Sequence, residues 1–375
     1  MVASAEPMMP SFSFCPGHHR CPHRSGRSAP TRAATDILVH VTLKLPTLKQ
    51  LSPVFTIAVF GVASWVIYDQ LKAHPLGSIL EDLGSIPTEH LVLSAALVLP
   101  GLMVLAAYDL VACTYLKLKL GMLKPLLTGL MSYSITNSTG HAVVVGGILR
   151  LRVYPRWGVK AAQVGEIIGF GVLTYYIGLS FTAAMAFLFE GKDLQRILAD
   201  VPRVGHVLSS DWLGILVPVV LLGLIAVWGA LLVFRRKPIR FRSHTFQLPS
   251  PMIGLFQLAV SCADLVIVSS VLFIMLPNHN GINWLAFVGI FSVIQFAALL
   301  SGVPGGIGVF SAIMLVVLQP PADGQTEVFA VLIAFRALYY LIPFAIGGLA
   351  FLGFVVVQNS RGIRQRVAER GEGST

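Results

Sequence analysis

Long apolar runs separated by short polar segments dominate the chain. Each run approaches the roughly 20 apolar residues that a helix needs to cross a bilayer. Between about Leu51 and Val357 these runs take up most of the sequence. The pattern predicts an all-α integral membrane protein, a polytopic helical bundle. The runs that read as spans lie at 51–70, 91–113, 163–189, 212–234, 252–276, 283–302 and 327–357.

A weaker apolar run at 125–149 has a polar centre, from Ser132 to His141. Because Lys and Arg favour the cytoplasmic side of a membrane and flank both ends of this run, both ends are expected on that side. The polar centre does not suit a lipid-facing span. We therefore interpret 125–149 as a re-entrant hairpin. The flanking cations are Lys117, Lys119 and Lys124 before it and Arg150, Arg152, Arg156 and Lys160 after it.

A second irregular segment, 301–319, begins with Ser-Gly-Val-Pro-Gly-Gly-Ile-Gly-Val-Phe. Backbone groups freed at membrane depth survive only where they are buried in protein or line a polar cavity. The segment is therefore predicted to be a broken helix, either a short crossing or half of a re-entrant pair with 283–302. The bundle then has about seven or eight spans and one or two re-entrant or broken elements. The expected breaks are Gly140, Gly146, Gly147, Pro304, Gly305, Gly306 and Gly308.

Composition and charge support a membrane domain with two tails. The chain is 55% hydrophobic and 12% charged, against about 25% charged residues in soluble domains. On this threading 22 of the 27 Lys and Arg residues fall inside, so both termini are predicted to be cytoplasmic. The net charge of +10 then needs no nucleic acid partner. We predict a disordered basic tail at 1–50, a transmembrane domain at 51–357 and a basic cytoplasmic tail at 358–375.

The polar centre of the hairpin and the arginines after it suggest a site for a lipid headgroup. Arg150 and Arg152 are expected at the headgroup level, where a guanidinium can clamp a phosphate with two hydrogen bonds. Positive-inside anchoring alone would explain the arginines but not the polar centre. His141 could shuttle protons or serve as a structural histidine. The candidate hydrogen-bonding residues are Asn137, Ser138, Thr139 and His141, followed by Tyr154.

Ionisable residues inside predicted spans are costly unless they are paired or hydrated. Asp264 lies midway through 252–276, and Arg336 lies in the first half of 327–357. An acid could neutralise Arg336 in a buried pair that holds two helices together, or Arg336 could bind a lipid phosphate with the acid as counter-charge. Both interpretations remain open at this point. Asp109 and Glu166 lie nearer the cytoplasmic ends of their spans and look unexceptional, with Arg150 or Arg152 as partners for Glu166.

Two motifs carry a family resemblance. The first runs from Asn137 through Gly146-Gly147 and Arg150 to Tyr154, and the second runs from Pro304 to Phe310. Together they resemble the transmembrane region of the lysylphosphatidylglycerol synthase/flippase family, over about residues 50–357. The resemblance implies movement of aminoacylated phospholipid to the outer leaflet. It also implies a separate cytosolic domain for aminoacyl transfer, for which the roughly 18 residues after Val357 leave no room, so we predict no enzyme.

These observations predict a flippase-like protein of the plasma (inner) membrane that translocates or binds a phospholipid, anionic or aminoacylated. One alternative is a scaffold or partner subunit of a separate lipid-modifying enzyme. Another is a membrane-embedded transferase. A second copy of the chain, in a homo-oligomer, is a further candidate partner. The transferase is disfavoured because the sequence lacks His-x-x-His, Asp-x-x-Asp and Gly-x-Ser-x-Gly patterns. No cofactor or metal is predicted, since the Cys and His residues between Cys15 and His23 match no structural zinc spacing.

Overall fold

A computed structural model shows a bundle of α-helices with one short β-hairpin. It describes residues 84, 86–139, 142–198, 210–235, 239–241, 244–276, 281–300, 307–318 and 325–372. The helices are α1 Thr88–Tyr115, α2 Leu123–Thr139, α3 Ala142–Val153, α4 Ala161–Leu198, α5 Asp211–Phe234, α6 Pro251–Met275, α7 Trp284–Leu300, α8 Ile307–Leu318, α9 Gln325–Arg336 and α10 Ile342–Glu372. Strands β1 Ile239–Phe241 and β2 His244–Phe246 pair antiparallel between α5 and α6.

The prediction of an all-helical membrane bundle is confirmed. Five helical stretches in the described part are long and apolar enough to cross a membrane, and two shorter apolar helices accompany them. They match the predicted spans from 91–113 onward. The predicted span 51–70 and the tail 1–50 lie outside the described residues. The number of spans therefore stays a prediction.

The C-terminal helix extends beyond the predicted span. A π-helical segment, Ala337–Leu341, joins α9 to α10, and α10 continues to Glu372. Residues 358–372 are rich in Arg, Gln and Glu, which have high helix propensity, and they contain no proline. Helical structure therefore continues from the predicted membrane segment into the basic tail.

Helices α2 and α3 form a helical hairpin. A Cβ placed on Gly146 would lie 2.8 Å from Thr136 Oγ1, and the Arg150 guanidinium lies 4.5 Å from the centroid of the Tyr133 ring. These contacts place α3 antiparallel to α2. At 1.5 Å per residue the two helices are about 26 Å and 18 Å long, below the 30 Å of a bilayer core. The geometry suits a re-entrant element, and entry from the cytoplasm stays a prediction.

The hairpin corrects one expectation about glycine. Gly146 and Gly147 do not break the chain, because both lie inside α3 and are buried. At Gly146 the missing side chain lets the neighbouring helix approach closely. The predicted break at Gly140 lies outside the described residues, which resume at 142.

Helices α7 and α8 also fold back on each other. The ring centroids of Phe291 and Phe310 are 5.3 Å apart, whereas a straight helix would separate residues 19 positions apart by about 28 Å. Pro304, Gly305 and Gly306 lie outside the described residues, and Gly308 lies within α8 rather than at a break. The two helices have 17 and 12 residues.

Helices α1 and α6 pack antiparallel in the middle of the bundle. Ser94 Oγ near the start of α1 donates to the Val271 carbonyl near the end of α6, at 3.1 Å. Tyr108 near the end of α1 donates to Asp264 near the middle of α6, at 3.0 Å. This packing brings the buried polar side chains of both helices together.

Candidate functional site

Helix α2 carries four buried hydroxyl groups on two of its faces. At 3.6 residues per turn, Thr128, Ser132 and Thr136 share one face and Ser134 lies on the opposite one. Thr128, Ser132, Ser134 and Thr136 are all at most 2% exposed. Thr128 donates to the Lys124 carbonyl of its own helix. The hydroxyls of Ser132 and Ser134 have no hydrogen-bond partner among the described residues. A buried polar group without a partner is costly, so these two hydroxyls are positions at which a polar ligand or water would find hydrogen bonds.

The face of α2 that carries Ser134 and Ser138 packs against α10 and the segment before it. A Cβ on Gly347 of α10 would lie only 2.5 Å from Ser134 Cβ. Nearer the tip of the hairpin, Ser138 Oγ donates to the Tyr340 carbonyl at 2.8 Å. Tyr340 belongs to the π-helical segment, where the carbonyls depart from the regular α-helical hydrogen-bond pattern. Segments of this kind are frequent at functional sites. Asn137 is half-buried beside this contact, while the side chains of Thr139 and His141 are outside the described part.

Arg150 is the centre of a buried charge cluster. Its Nη2 lies 2.7 Å from Asp109 Oδ1, and its Nε also donates to the same carboxylate. Tyr154 donates to Asp109 Oδ2 at 2.8 Å, and its hydroxyl lies 3.4 Å from Cys113 Sγ. The Arg150 guanidinium stacks on the Tyr133 ring. Every charged group in this cluster therefore has a close partner.

This cluster corrects two expectations. Arg150 is not free to clamp a phosphate as predicted, because it is 4% exposed and its guanidinium is engaged by Asp109. Asp109 is correspondingly a buried ion-pair partner, whereas Glu166, the predicted partner, is exposed. A buried arginine depends on a carboxylate partner more than an exposed arginine does, because water cannot solvate the buried guanidinium. Arg150 and Tyr154 remain candidates for a headgroup only through rearrangement of this pair.

Arg152 and Arg156 follow Arg150 along the chain and lie beside aromatic rings of α10. The Arg152 guanidinium sits 5.9 Å from the Phe351 ring centroid and that of Arg156 sits 5.5 Å from the Phe354 ring centroid, both on α10. Arg156 also donates to the Arg152 carbonyl at 2.6 Å. Partial burial lowers the pKa of the Arg156 guanidinium, which remains protonated at neutral pH. Arg152 is half-buried and therefore more accessible than Arg150.

Asp264 is surrounded by tyrosines rather than by a cation. Its carboxylate accepts hydrogen bonds from Tyr108 at 3.0 Å and from Tyr339 at 3.5 Å. Arg336 instead donates to Ser311 Oγ on α8, at 3.1 Å. A direct pair of Asp264 with Arg336, one of the two interpretations left open by the sequence, is therefore not observed. Two hydroxyl donors supply the hydrogen bonds that burial of the carboxyl requires.

A tyrosine cluster connects these sites. It comprises Tyr108, Tyr133, Tyr175, Tyr339 and Tyr340, which lie around Asp264 within electrostatic range of it. Tyr108 and Tyr133 have ring centroids 5.4 Å apart, so the cluster reaches from Asp264 to the Arg150–Asp109 pair. Gln295 of α7 lies beside Tyr175. Sequence inspection missed these tyrosines, although polar aromatic residues in the middle of predicted spans were a visible signal.

The hydrogen bond from Tyr108 is expected to matter for stability. Tyr108→Phe should lower the free energy of unfolding by about 1–3 kcal/mol, because a buried carboxyl oxygen loses its donor. Tyr339→Phe should cost less, since its bond is longer. Thermal unfolding of both variants in detergent checks this order. Equal losses would contradict the assignment of Tyr108 as the main donor to Asp264.

Among the described residues no group of three or more His, Cys, Asp or Glu side chains could hold a metal ion.

Comparison with known proteins places the chain among multi-pass membrane proteins. No protein-family model matches it. It is 29% identical to the uncharacterized protein slr0712 of Synechocystis over 84% of this chain and 94% of that protein. It is 26% identical to the inner membrane protein YbhN of Escherichia coli over 70% of this chain and 79% of that protein.

A third relative is larger. The chain is 22% identical to the phosphatidylglycerol lysyltransferase of Staphylococcus aureus over 77% of this chain, and it spans about a third of that protein, 32% of its length. A lysyltransferase of Staphylococcus xylosus matches over the same share at 24% identity. This homology, at low identity, bears out the resemblance predicted from the motifs: the chain fits a membrane-region family that includes YbhN and the phosphatidylglycerol lysyltransferases.

Proposed function

We propose that the protein binds a phospholipid and moves its headgroup across the membrane, through a polar path along α2. The observation that carries this proposal is the set of buried hydroxyls on a hairpin too short to span, of which those of Ser132 and Ser134 lack partners among the described residues. A headgroup offers the phosphate oxygens and polar hydrogens that such hydroxyls bind. The acyl chains would stay in the bilayer beside the exposed apolar faces.

The relatives support the class of substrate. The name phosphatidylglycerol lysyltransferase refers to an enzyme that acts on a phospholipid. Arg152, near the end of α3, and Arg336, one helical turn before Tyr340, would attract the phosphate. Anionic or aminoacylated phospholipids are therefore the proposed substrates, in a plasma membrane protein with both termini in the cytoplasm. The chain would act as a translocase, with any lipid-modifying chemistry supplied by another protein.

The test is quenching of fluorescent phospholipids by dithionite in proteoliposomes. The double variant Ser132→Ala/Ser134→Ala should lose protein-dependent quenching for its preferred headgroup. Its free energy of unfolding should stay the same or rise by about 1–3 kcal/mol, because two buried groups without partners are removed. Loss of activity combined with retained stability would separate a binding role from a structural one.

A matched control is Ser269→Ala on α6. Ser269 is as buried as Ser132, but its hydroxyl donates to the Leu265 carbonyl of its own helix. We expect this variant to retain quenching. Folded wild-type protein that gives no quenching above empty liposomes for phosphatidylglycerol, lysylphosphatidylglycerol, phosphatidylethanolamine or phosphatidylcholine would refute passive translocation and favour the partner-subunit role.

A further inference from the structure

The order and lengths of the helices repeat within the chain. In residues 88–198, copy 1, helices of 28, 17, 12 and 38 residues follow one another. In residues 251–372, copy 2, helices of 25, 17 and 12 residues precede the continuous α9–α10. In both copies the second and third helices fold back as a hairpin. The shared order of a long helix, a short hairpin and a longer helix indicates duplication.

The sequence of the last helix in each copy supports duplication. Helices α4 and α9 begin 164 positions apart, at Ala161 and Gln325. At the same offset, Tyr175-Tyr176 corresponds to Tyr339-Tyr340, and Ala186-Phe187-Leu188 corresponds to Ala350-Phe351-Leu352. An identical doublet and an identical triplet at one constant offset are unexpected in unrelated segments. The doubled tyrosines are therefore equivalent positions.

The two copies have opposite orientations. Their first helices, α1 and α6, pack antiparallel, as the pairs Ser94–Val271 and Tyr108–Asp264 show. Three long apolar helices, α1, α4 and α5, lie between the start of copy 1 and the start of copy 2, and an odd number of crossings inverts the second copy. Inverted repeats in membrane transporters bind substrate near the bilayer midplane, where the repeats meet.

Each hairpin packs on the long helix of the other copy. In the first interface, α2 contacts α10, with Ser134 beside Gly347 and Ser138 bonded to Tyr340. In the second interface, α7 contacts α4, with the Thr182 and Ser292 hydroxyls 2.9 Å apart and the Tyr176 and Phe296 rings 6.1 Å apart. Shifting the first set of contacts by the offsets between copies reproduces the second set within about one helical turn.

We propose that copies 1 and 2 are inverted repeats, and that the phospholipid headgroup binds between them at the tyrosine cluster, which each hairpin closes from its own side of the membrane. Tyr108 of copy 1 and Tyr339 of copy 2 both donate to Asp264, and the rings of Tyr133 and Tyr340 pack on them at centroid distances of 5.4 and 5.8 Å. Tyr175 completes the site from copy 1. Tyrosine hydroxyls and Gln295 supply hydrogen bonds to a headgroup, and Arg336 supplies a cation for its phosphate. This inference rests on the proposed function and adds where the headgroup binds and how access alternates.

Two disulfide locks test the inference in the full chain with its four native cysteines replaced. Lock 1, Ser134→Cys/Gly347→Cys, ties hairpin α2–α3 to copy 2. Lock 2, Thr182→Cys/Ser292→Cys, ties hairpin α7–α8 to copy 1. Both pairs are close enough for a disulfide after small shifts. A control, Leu232→Cys/Gly254→Cys, links α5 to α6 outside both hairpin interfaces.

In the dithionite assay, each locked protein should quench no more than empty liposomes, and reduction of the disulfide should restore quenching to the level of the same cysteine variant before oxidation. Ser132 keeps its hydroxyl in both locks. The control should quench like the unlocked chain before and after reduction. Recovery on reduction shows that the locked protein remained folded. Full quenching by both locked proteins, with cross-linking verified by mass, would overturn alternating access while leaving the proposed function standing.

A second readout does not depend on transport. A reporter cysteine, Tyr175→Cys, is added to each locked protein and treated with a membrane-impermeant maleimide from either side of sealed vesicles. Labelling from opposite sides in lock 1 and lock 2 would support the inverted repeats even if the unlocked chain moves no lipid. Labelling from the same side in both would overturn the inference.

Discussion

Asp109→Ala is expected to lower the free energy of unfolding by about 3–5 kcal/mol, because it leaves the buried Arg150 guanidinium without its counter-charge. Asp109 is 1% exposed and accepts three hydrogen bonds from Arg150 and one from Tyr154. Water cannot reach the guanidinium to replace them. Chemical or thermal unfolding in detergent measures the loss, and the yield of membrane-inserted protein should fall with it.

The partner experiment removes both charges. Asp109→Leu/Arg150→Met should recover most of the stability lost by Asp109→Ala, since a buried ion pair replaced by apolar side chains of similar size is often neutral. Glu166→Ala is the matched control, because this carboxylate is exposed on α4 and should change stability by no more than about 0.5 kcal/mol. A loss at Asp109 as small as that at Glu166 would contradict the buried pair. If Asp109→Ala does show the large loss, reduced transport by Arg150→Ala does not distinguish a binding role from a folding role. Ser132→Ala/Ser134→Ala does make that distinction.

Gly289→Val is expected to destabilise the protein by about 3 kcal/mol or more, at the upper end of overpacking effects. A Cβ at Gly289 of α7 would lie 2.1 Å from Ala186 Cβ on α4, so the two helices would have to separate. These helices form the second hairpin interface, and their separation would expose the buried hydroxyl contact between Thr182 and Ser292. Thermal unfolding and the retention of a single monodisperse species measure the effect.

A size swap isolates the cause. Gly289→Ala/Ala186→Gly moves one methyl group across the interface and should return stability close to that of the wild type. Gly169→Ala on α4 is the control for helix propensity, because no atom lies within 4 Å of its added Cβ, and it should stabilise by up to about 1 kcal/mol. If Gly289→Ala/Ala186→Gly is clearly less stable than the wild type, the destabilisation by Gly289→Val does not come from a clash with Ala186.

Several elements of the fold were predictable because they are encoded locally. The run at 91–113 became α1, Thr88–Tyr115, and the run at 252–276 became α6, Pro251–Met275. A span must be a continuous apolar helix, so its position can be read from consecutive residues. The β-hairpin between α5 and α6 was missed, since two three-residue strands carry too little periodicity to recognise.

The candidate site was only partly predictable. Ser138, Arg152 and Arg336 were predicted because polar residues stand out in apolar sequence. Ser138 contacts Tyr340 and Arg336 contacts Ser311, each on another element of the bundle. The partners could not be found this way. Arg150 and Asp109 are 41 positions apart, and Tyr108 and Asp264 are 156 positions apart. Distances of that size along the chain carry no information about contact without the packing of the helices.

The sequence by itself determined that this is an all-helical, multi-pass membrane protein, because lipid admits only segments that are long, apolar and internally hydrogen-bonded. It also indicated the two segments whose helices are too short to cross, 125–149 and 301–319, and the family that the motifs resemble. Only the tertiary structure decided that Arg150 is neutralised by Asp109 rather than exposed to headgroups. It also decided that Asp264 is held by tyrosines, and that the hairpins pack on opposite copies. Each of these depends on which helix faces lie together, a choice made by side-chain packing over the whole bundle.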